Sequence, residues 1–267
     1  MTGSIDLARE GVLATVSLHH HGKFNAMSRA MWRALKIAFE TLQQDRTVRC
    51  VVVQGAEGHF CAGGDIAEYP DFRFDAAKLQ QFHEVEVWGA LQAMLDCDVP
   101  IVAQIQGNCM GAGLEIASCC DLRLAGRDAR FGAPIARLGF PMAPREAALV
   151  SRAVGEATAR AMLLGAEVFG ASHMHTQGFL THCVADDQLA IQVRSLVERI
   201  ALLAPKAARM NKQVFRGLNR PLAPVEYAQA AIENIASTGN TAAYAYADSP
   251  EHREGIDAFL KKRPPIF

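Results

Sequence analysis

The sequence lacks the features that mark membrane, secreted and nucleic-acid-binding proteins. None of its 267 residues belongs to an uninterrupted apolar run of the roughly 18 that a membrane-spanning helix needs, and its charged N-terminal segment is unlike a signal peptide. Its seven cysteines show no C-x-x-C spacing, and its formal net charge of −1 gives no general attraction to phosphate backbones. We therefore expect a cytoplasmic protein with no membrane and no nucleic-acid partner.

Hydrophobic residues make up half of the chain, and their spacing predicts strands that alternate with helices. Alternation over residues 12–18 predicts a first strand, and Ser28 is placed to cap a helix with one apolar face. The apolar runs at 50–53 and 100–105 predict buried strands. Helical patterns dominate after about residue 145, at residues 145–164, 188–203, 207–218, 225–237 and from Ser249 onward.

Two glycine-containing turns each follow a predicted strand and precede a helix start, at residues 59–66 and 110–115. The first N–H groups of a helix lack internal partners, and small residues let a ligand oxygen approach them closely. Two such donors form an oxyanion hole, which suits a thioester whose carbonyl oxygen gains charge as an enolate. Taken alone, either turn is more simply explained by glycines that permit a tight bend, since neither carries a G-x-G-x-x-G or P-loop pattern.

Longer motifs around these turns favour the functional explanation. The sequence FCAGGDI at residues 60–66 is similar to F-x-A-G-x-D-[IL], and GNCMGAGLE at residues 107–115 is similar to G-x-x-x-G-[GA]-G-x-E. Further matching segments follow in order: KFNAM at 23–27, DLRLA at 121–125, FGAP at 131–134, LG at 138–139 and IDAFLKKRPPIF at 256–267. Together these segments cover nearly the whole chain and resemble the crotonase (enoyl-CoA hydratase/isomerase) superfamily.

The resemblance implies an α/β crotonase-like fold, with a ββα spiral core over residues 1–200. A C-terminal helical segment over residues 201–267 is then expected to assemble trimers or dimers of trimers. The resemblance also implies an enzyme that acts on acyl-CoA or enoyl-CoA thioesters as a lyase or isomerase of fatty acid metabolism. Coenzyme A enters as part of the substrate, and no other cofactor and no metal are expected.

The same resemblance assigns the site residue by residue. The backbone N–H groups of Gly64 and Ala112 are the expected oxyanion-hole donors, and Glu115 is the expected acid/base residue. Lys262, or Lys261, is expected to approach the CoA phosphates, although basic residues equally suit a helix C-terminus. The other residues expected to bind CoA or the acyl group are Lys23, Phe24, Ala26, Ala62, Gly63, Asp65, Ile66, Gly111, Pro134, Ile135 and Gly139.

One departure from the family pattern bears directly on the reaction. Glu115 lies inside an apolar helix start, where its charge must be solvated, paired or lost through a raised pKa, as suits a general acid or base. Ile135 stands where hydratases of the family have their second glutamate, so the sequence argues against standard hydration by a glutamate pair. Hydration, isomerisation, decarboxylation and C–C cleavage stay open, and so does a catalytically weak acyl-CoA-binding or assembly protein.

Other polar residues have weaker claims on the site. Glu146 or Arg145 could supply a replacement polar group, or both could equally be surface residues at a helix start. His59 precedes the first glycine turn, and His83 and Glu84 lie in a variable segment that often borders the acyl pocket. No metal site is expected at residues 19–21, where consecutive strand residues point to opposite sides, or among His173, His175, His182 and Cys183.

Overall fold

The strands of the fold form two β-sheets. The computed structural model describes residues 3–218 and 242–266. Its strands are β1 (Ser4–Glu10), β2 (Leu13–His19), β3 (Cys50–Gly55), β4 (Ile101–Ile105), β5 (Asn108–Met110), β6 (Leu122–Gly126), β7 (Arg130–Gly132), β8 (Val168–Gly170) and β9 (His182–Val184). The larger sheet has the order β1-β2-β3-β4-β6-β9, in which only the β1-β2 pair is antiparallel, and β5, β7 and β8 form the smaller sheet.

Helices connect and cover these strands. The α-helices of the described residues are α1 (Arg29–Gln44), α2 (Ala76–Gln81), α3 (Trp88–Asp96), α4 (Ala112–Cys119), α5 (Pro144–Val154), α6 (Glu156–Leu164), α7 (Ala171–Thr176), α8 (Leu189–Leu202), α9 (Pro205–Leu218) and α10 (Pro250–Leu260). Short 3₁₀ segments span Ile66–Asp71, Ile135–Leu138, Asp186–Gln188 and Ala242–Asp248, and Phe82–Val87 forms a π-helical turn. No helix among the described residues has both the length and the apolar character to cross a bilayer.

Helices on both faces of the larger sheet explain its apolar runs. In β3, Val51 and Val53 belong to the core that includes α1, whereas Cys50 and Val52 belong to a second cluster with α8. A strand covered on both sides has no face for polar residues, and its sequence therefore loses the usual alternation. The α1 prediction is confirmed in detail, because the Ser28 side chain accepts a hydrogen bond from the Met31 N–H.

Three predictions of secondary structure were wrong or incomplete. The first strand of the chain is β1, which the pattern over residues 12–18 missed because most of its side chains are exposed. The single helix predicted over residues 145–164 is two helices separated by Gly155, whose φ of +85° interrupts helical geometry. Four strands of three residues each, β5, β7, β8 and β9, were missed because so short a segment carries little periodicity. The helix predicted at 225–237 lies outside the described residues.

Candidate active site

The two glycine turns lie side by side and are joined by backbone hydrogen bonds. The Cys61 N–H donates to the Asn108 carbonyl oxygen at 2.8 Å, and the Met110 N–H donates to the Cys61 carbonyl oxygen at 2.9 Å. Close approach requires small residues here: a Cβ atom on Gly113 would lie only 2.6 Å from the Cys61 carbonyl oxygen, and Gly111 has a φ of +46°, which favours glycine. The two turns therefore form one continuous backbone surface.

The N–H group of Ala112 is free because a helix begins there. The first helical hydrogen bond of α4 is donated by the Glu115 N–H to the Gly111 carbonyl oxygen at 3.0 Å. Earlier N–H groups of the helix have no carbonyl within the helix to reach. Within the described residues, the Ala112 N–H donates to no acceptor.

The N–H group of Gly64 is free for a different reason. Its neighbours bond to Met27 as in a parallel strand pair: the Met27 N–H donates to the Gly63 carbonyl oxygen and the Asp65 N–H donates to the Met27 carbonyl oxygen, both at 2.8 Å. The amide between these neighbours then points to the opposite edge. The Gly64 N–H likewise has no acceptor in the part of the chain that the structure describes.

Most residues predicted to bind CoA gather around the first turn. Lys23 Nζ lies 2.6 Å from Asp65 Oδ2, and the Ala62 N–H donates to the Phe24 carbonyl oxygen at 3.0 Å. The Phe24 ring is 55% exposed, which leaves an aromatic surface beside a cation. The structure thus brings together Lys23, Phe24, Ala26, Ala62, Gly63, Asp65 and Ile66.

The second group of predicted residues follows the other turn. The Gly111 N–H donates to the Gly132 carbonyl oxygen at 2.9 Å, which brings the segment with Pro134, Ile135 and Gly139 close to the turn. Ile135 begins the 3₁₀ segment Ile135–Leu138, and Pro134 and Gly139 cap its two ends. Lys262 is different: it follows α10, and none of its contacts within the described residues involves either glycine turn.

A second carboxyl group lies close to Glu115, and it belongs to Glu146. The side chain of Glu146 in the first turn of α5 is buried, which excludes the surface position that the sequence left open. Burial, together with the nearby charge of Glu146, raises the pKa of Glu115 to about 8, and the guanidinium of Arg73 opposes this rise. Glu115 therefore keeps its proton near neutral pH. Arg145 instead pairs with Glu84 at 3.0 Å.

His83 connects Glu146 to Arg73. Its Nδ1 atom lies 3.0 Å from Glu146 Oε1, and its Nε2 atom lies 3.5 Å from Arg73 Nη1. A guanidinium can only donate, so the hydrogen bonds assign His83 an accepting Nε2 and a protonated Nδ1 that donates to the carboxylate.

Arg73 is buried, and no carboxylate of the described residues is in direct contact with it. Its guanidinium lies between the Tyr69 ring at 4.4 Å and the Phe140 ring at 3.9 Å, and it donates to His252 Nε2 and Tyr246 Oη, both at 3.4 Å. No ion pair joins it to any described acidic residue. Because a buried charge requires compensation, one ionised carboxyl in the Glu115 and Glu146 pair makes the cluster neutral.

Sequence reasoning missed Arg73 and Tyr69 and gave Glu146 and His83 only a minor place. Arg73 stands between two phenylalanines in the sequence, and a charge flanked by aromatic residues was the one available signal. A cavity of about 700 Å³ adjoins the cluster at Phe140 and Tyr246 and also contacts Ile135. Among the described residues no cluster of His, Cys, Asp and Glu has the composition to hold a metal ion.

Other residues singled out from the sequence have structural contacts. His59 Nδ1 accepts a hydrogen bond from the Asn108 N–H at 3.2 Å and its ring centroid lies 4.5 Å from that of Phe24. His21 Nδ1 lies 2.7 Å from Glu57 Oε1 on the surface. All seven cysteines are free thiols, and all except Cys183 are buried.

Comparisons with known proteins extend over the full length of the chain. A profile of the family described as Enoyl-CoA hydratase/isomerase matches residues 8–267. A probable enoyl-CoA hydratase of Rhizobium meliloti (strain 1021) is 28% identical over 260 residues, covering 97% of this chain and 95% of that protein. The 2,3-dehydroadipyl-CoA hydratase of Escherichia coli (strain K12) is 26% identical over 261 residues, covering 98% and 97%. The crystal structure of an enoyl-CoA hydratase/carnithine racemase from Magnetospirillum magneticum has a TM-score of 0.79 at 33% identity and covers 100% of this chain and 96% of that chain.

Proposed function

Because this chain belongs to the enoyl-CoA hydratase/isomerase family, we propose that it binds an enoyl-CoA thioester and catalyses the reversible addition of water. The observation that carries the proposal is the pair formed by the half-buried Glu115 and the buried Glu146, close to two backbone amides that have no acceptor among the described residues. A protonated acid and an ionised base in one site are what addition across a double bond needs. Coenzyme A enters only as part of the substrate in this proposal.

The amides of Gly64 and Ala112 are proposed to bind the thioester oxygen. That oxygen becomes negative when water adds to C3 and the C2–C3 electron pair moves toward the carbonyl. Donors that already point at this position stabilise the transition state without further rearrangement, and one such donor is typically worth about 3 kcal/mol. Neither amide has an acceptor in the part of the chain that the structure describes, which supports this role.

The carboxyl pair is proposed to move the two protons of the reaction. Glu146, held by His83, takes a proton from water as the water oxygen bonds to C3. Glu115, which keeps its proton near neutrality, then delivers a proton to C2 as the enolate collapses to the saturated thioester. Glu146 would thus replace the glutamate missing at Ile135, from the start of α5 rather than from the segment after Pro134.

Hydratase assays on Glu115→Gln and Glu146→Gln test this assignment. Each change removes a proton-transfer group and is expected to lower kcat by about 10²-fold or more on crotonyl-CoA, followed by loss of enoyl thioester absorbance. The matched control is Glu156→Gln, which alters an exposed carboxylate paired with Arg160 and should leave kcat unchanged. A parallel series with 3-enoyl-CoA separates isomerisation from hydration. Tight binding of all thioesters without turnover would instead favour an acyl-CoA-binding protein.

Helix α9 supports the further proposal that subunits assemble into trimers or dimers of trimers. Its polar side pairs with the core: Lys212 Nζ donates to the Val99 carbonyl oxygen at 2.9 Å, and Arg216 Nη2 lies 2.6 Å from Asp98 Oδ1. Its apolar residues Met210, Val214, Phe215 and Leu218 are exposed, and Phe215 is 65% exposed. Exposed apolar surface of this kind favours a subunit interface. Light scattering on Phe215→Lys should show smaller particles than the wild type, and an unchanged mass would refute this interface.

A further inference from the structure

The hydroxyl group of Tyr69 lies beside Gly64. Tyr69 belongs to the 3₁₀ segment Ile66–Asp71, which begins directly after the first glycine turn. A Cβ atom built on Gly64 would overlap Tyr69 Oη and would come within 3.2 Å of Tyr69 Cζ. The absence of a side chain at Gly64 therefore makes room for this hydroxyl, and the residue type at position 64 depends on the one at position 69.

The Tyr69 hydroxyl has no hydrogen-bond partner among the described residues. Its ring is enclosed, with the Arg73 guanidinium on one face at 4.4 Å and the rings of Phe72 and Phe140 at 6.0 Å. Tyr69 as a whole is 7% exposed. Its hydroxyl oxygen is not fully enclosed, so a ligand can reach it. The hydroxyl group of a largely buried tyrosine normally forms a hydrogen bond, so the missing partner of Tyr69 points to a bound ligand.

We propose that the Tyr69 hydroxyl is a third hydrogen-bond donor to the thioester oxygen, next to the amides of Gly64 and Ala112. This inference rests on the proposed function, because it needs a thioester in the site. The hydroxyl donates to the oxygen as negative charge develops there, and no proton leaves Tyr69 during the step. Tyr69 would then be a catalytic residue that touches the substrate.

Its surroundings suit a neutral donor. Burial raises the pKa of Tyr69, and the charge of Arg73 opposes that rise, so the phenol keeps its proton in the pH range in which proteins function. The positive charge over the ring face draws electron density away from the hydroxyl, which strengthens the O–H as a donor. A fixed donor of this kind acts most strongly on the charged transition state and less on the neutral substrate.

A double-mutant cycle on Gly64 and Tyr69 tests the proposal. Tyr69→Phe removes only the hydroxyl and is expected to lower kcat by about 10²-fold on crotonyl-CoA with little change in KM. Gly64→Ala is expected to displace the hydroxyl and to cause a similar loss. The double variant should be no slower than either single variant, because both substitutions remove the same interaction. Without the hydroxyl, the nearest ring atom at position 69 would lie 3.2 Å from the new Cβ atom at position 64, so the ring needs to shift only slightly. Losses that multiply in the double variant would overturn the proposal.

A second measurement is independent of turnover. Acetoacetyl-CoA has an acidic C2 and forms an enolate with a near-ultraviolet absorption band, so the pH at which the bound ligand ionises reports stabilisation of the enolate oxygen. We expect Tyr69→Phe to move this ionisation to higher pH, and thermal unfolding curves show whether each variant is folded. An unchanged ionisation in Tyr69→Phe refutes the role of Tyr69 alone. Failure of the wild type to form the bound enolate refutes the oxyanion site and this inference together.

Discussion

Replacing Glu115 with glutamine should make the protein more stable at alkaline pH than the wild type. Burial and the neighbouring Glu146 raise the pKa of Glu115 from an ordinary 4.5 to about 8. The folded state therefore binds more protons than the unfolded state between these two values, and wild-type stability falls as pH rises through that window. Glutamine imitates the protonated carboxyl and cannot titrate, so the variant escapes this loss.

The size of the effect follows from the same pKa change. Each unit corresponds to about 1.4 kcal/mol, so full ionisation of Glu115 in the folded state costs on the order of 4 to 5 kcal/mol. Near pH 5 the carboxyl is protonated in the folded protein, and the two proteins should have similar free energies of unfolding. Above about pH 8 the variant should be more stable by several kcal/mol, in part because glutamine also relieves repulsion from Glu146.

Urea unfolding at a series of pH values provides the assay. The difference between variant and wild type is the informative quantity, because titration of all other groups cancels to first order. The exposed Glu156→Gln variant should show a small difference that hardly changes with pH. A difference between Glu115→Gln and wild type that stays flat from about pH 5 to about pH 9 would refute the raised pKa of Glu115.

Three further outcomes are expected. Arg73→Gln removes the charge that lowers the pKa of Glu115, so the alkaline decline of kcat should move to higher pH. Arg73→Lys keeps a positive charge and should leave this decline closer to its wild-type position. Identical pH profiles for the wild type and Arg73→Gln would exclude an effect of Arg73 on the pKa of Glu115. Gly139→Ala should destabilise the fold by about 1 to 3 kcal/mol in thermal or urea unfolding, because φ is +72° there and the new Cβ would overlap the Glu251 carbonyl oxygen; an unchanged midpoint would contradict that contact. Cys183 should react first with a thiol reagent, since it is half-buried and the other six cysteines are buried. Burial also raises the pKa of a thiol such as that of Cys61 to about 12, which slows its reaction. Mass spectrometry of the labelled peptides identifies the modified residue, and modification of a buried cysteine before Cys183 would contradict this prediction.

Local sequence patterns predicted the parts of the fold that depend on neighbouring residues. The cap at Ser28 and the apolar face that follows it define α1, and the run at β3 shows that both faces of the sheet are covered. The crotonase-like α/β fold, expected from motifs along the chain, is confirmed by solved structures of the family. Strand β1 could not be found this way, because an exposed edge strand needs no apolar alternation.

The candidate site likewise has some parts that local sequence patterns predict and others that they do not. The glycine turns were recognisable because their conformation depends on consecutive residues. The proximity of Glu146 to Glu115 depends instead on how the start of α5 packs against α4, and no local pattern encodes that packing. The π-helical turn that carries His83, and the position of Arg73 between two rings, likewise depend on contacts between residues far apart in the chain. The division of the chain at residue 200 stays a prediction.

The hydrogen bonds between Cys61 and the segment of Asn108 and Met110 have an evolutionary consequence. They fix the spacing of the two proposed donor amides through main-chain atoms, which every residue type possesses. Substitutions at the outward positions of either turn can therefore remodel the walls around a bound acyl group without shifting the donors. A lineage that keeps these main-chain bonds can exchange one substrate for another while the means of stabilising the enolate is inherited intact.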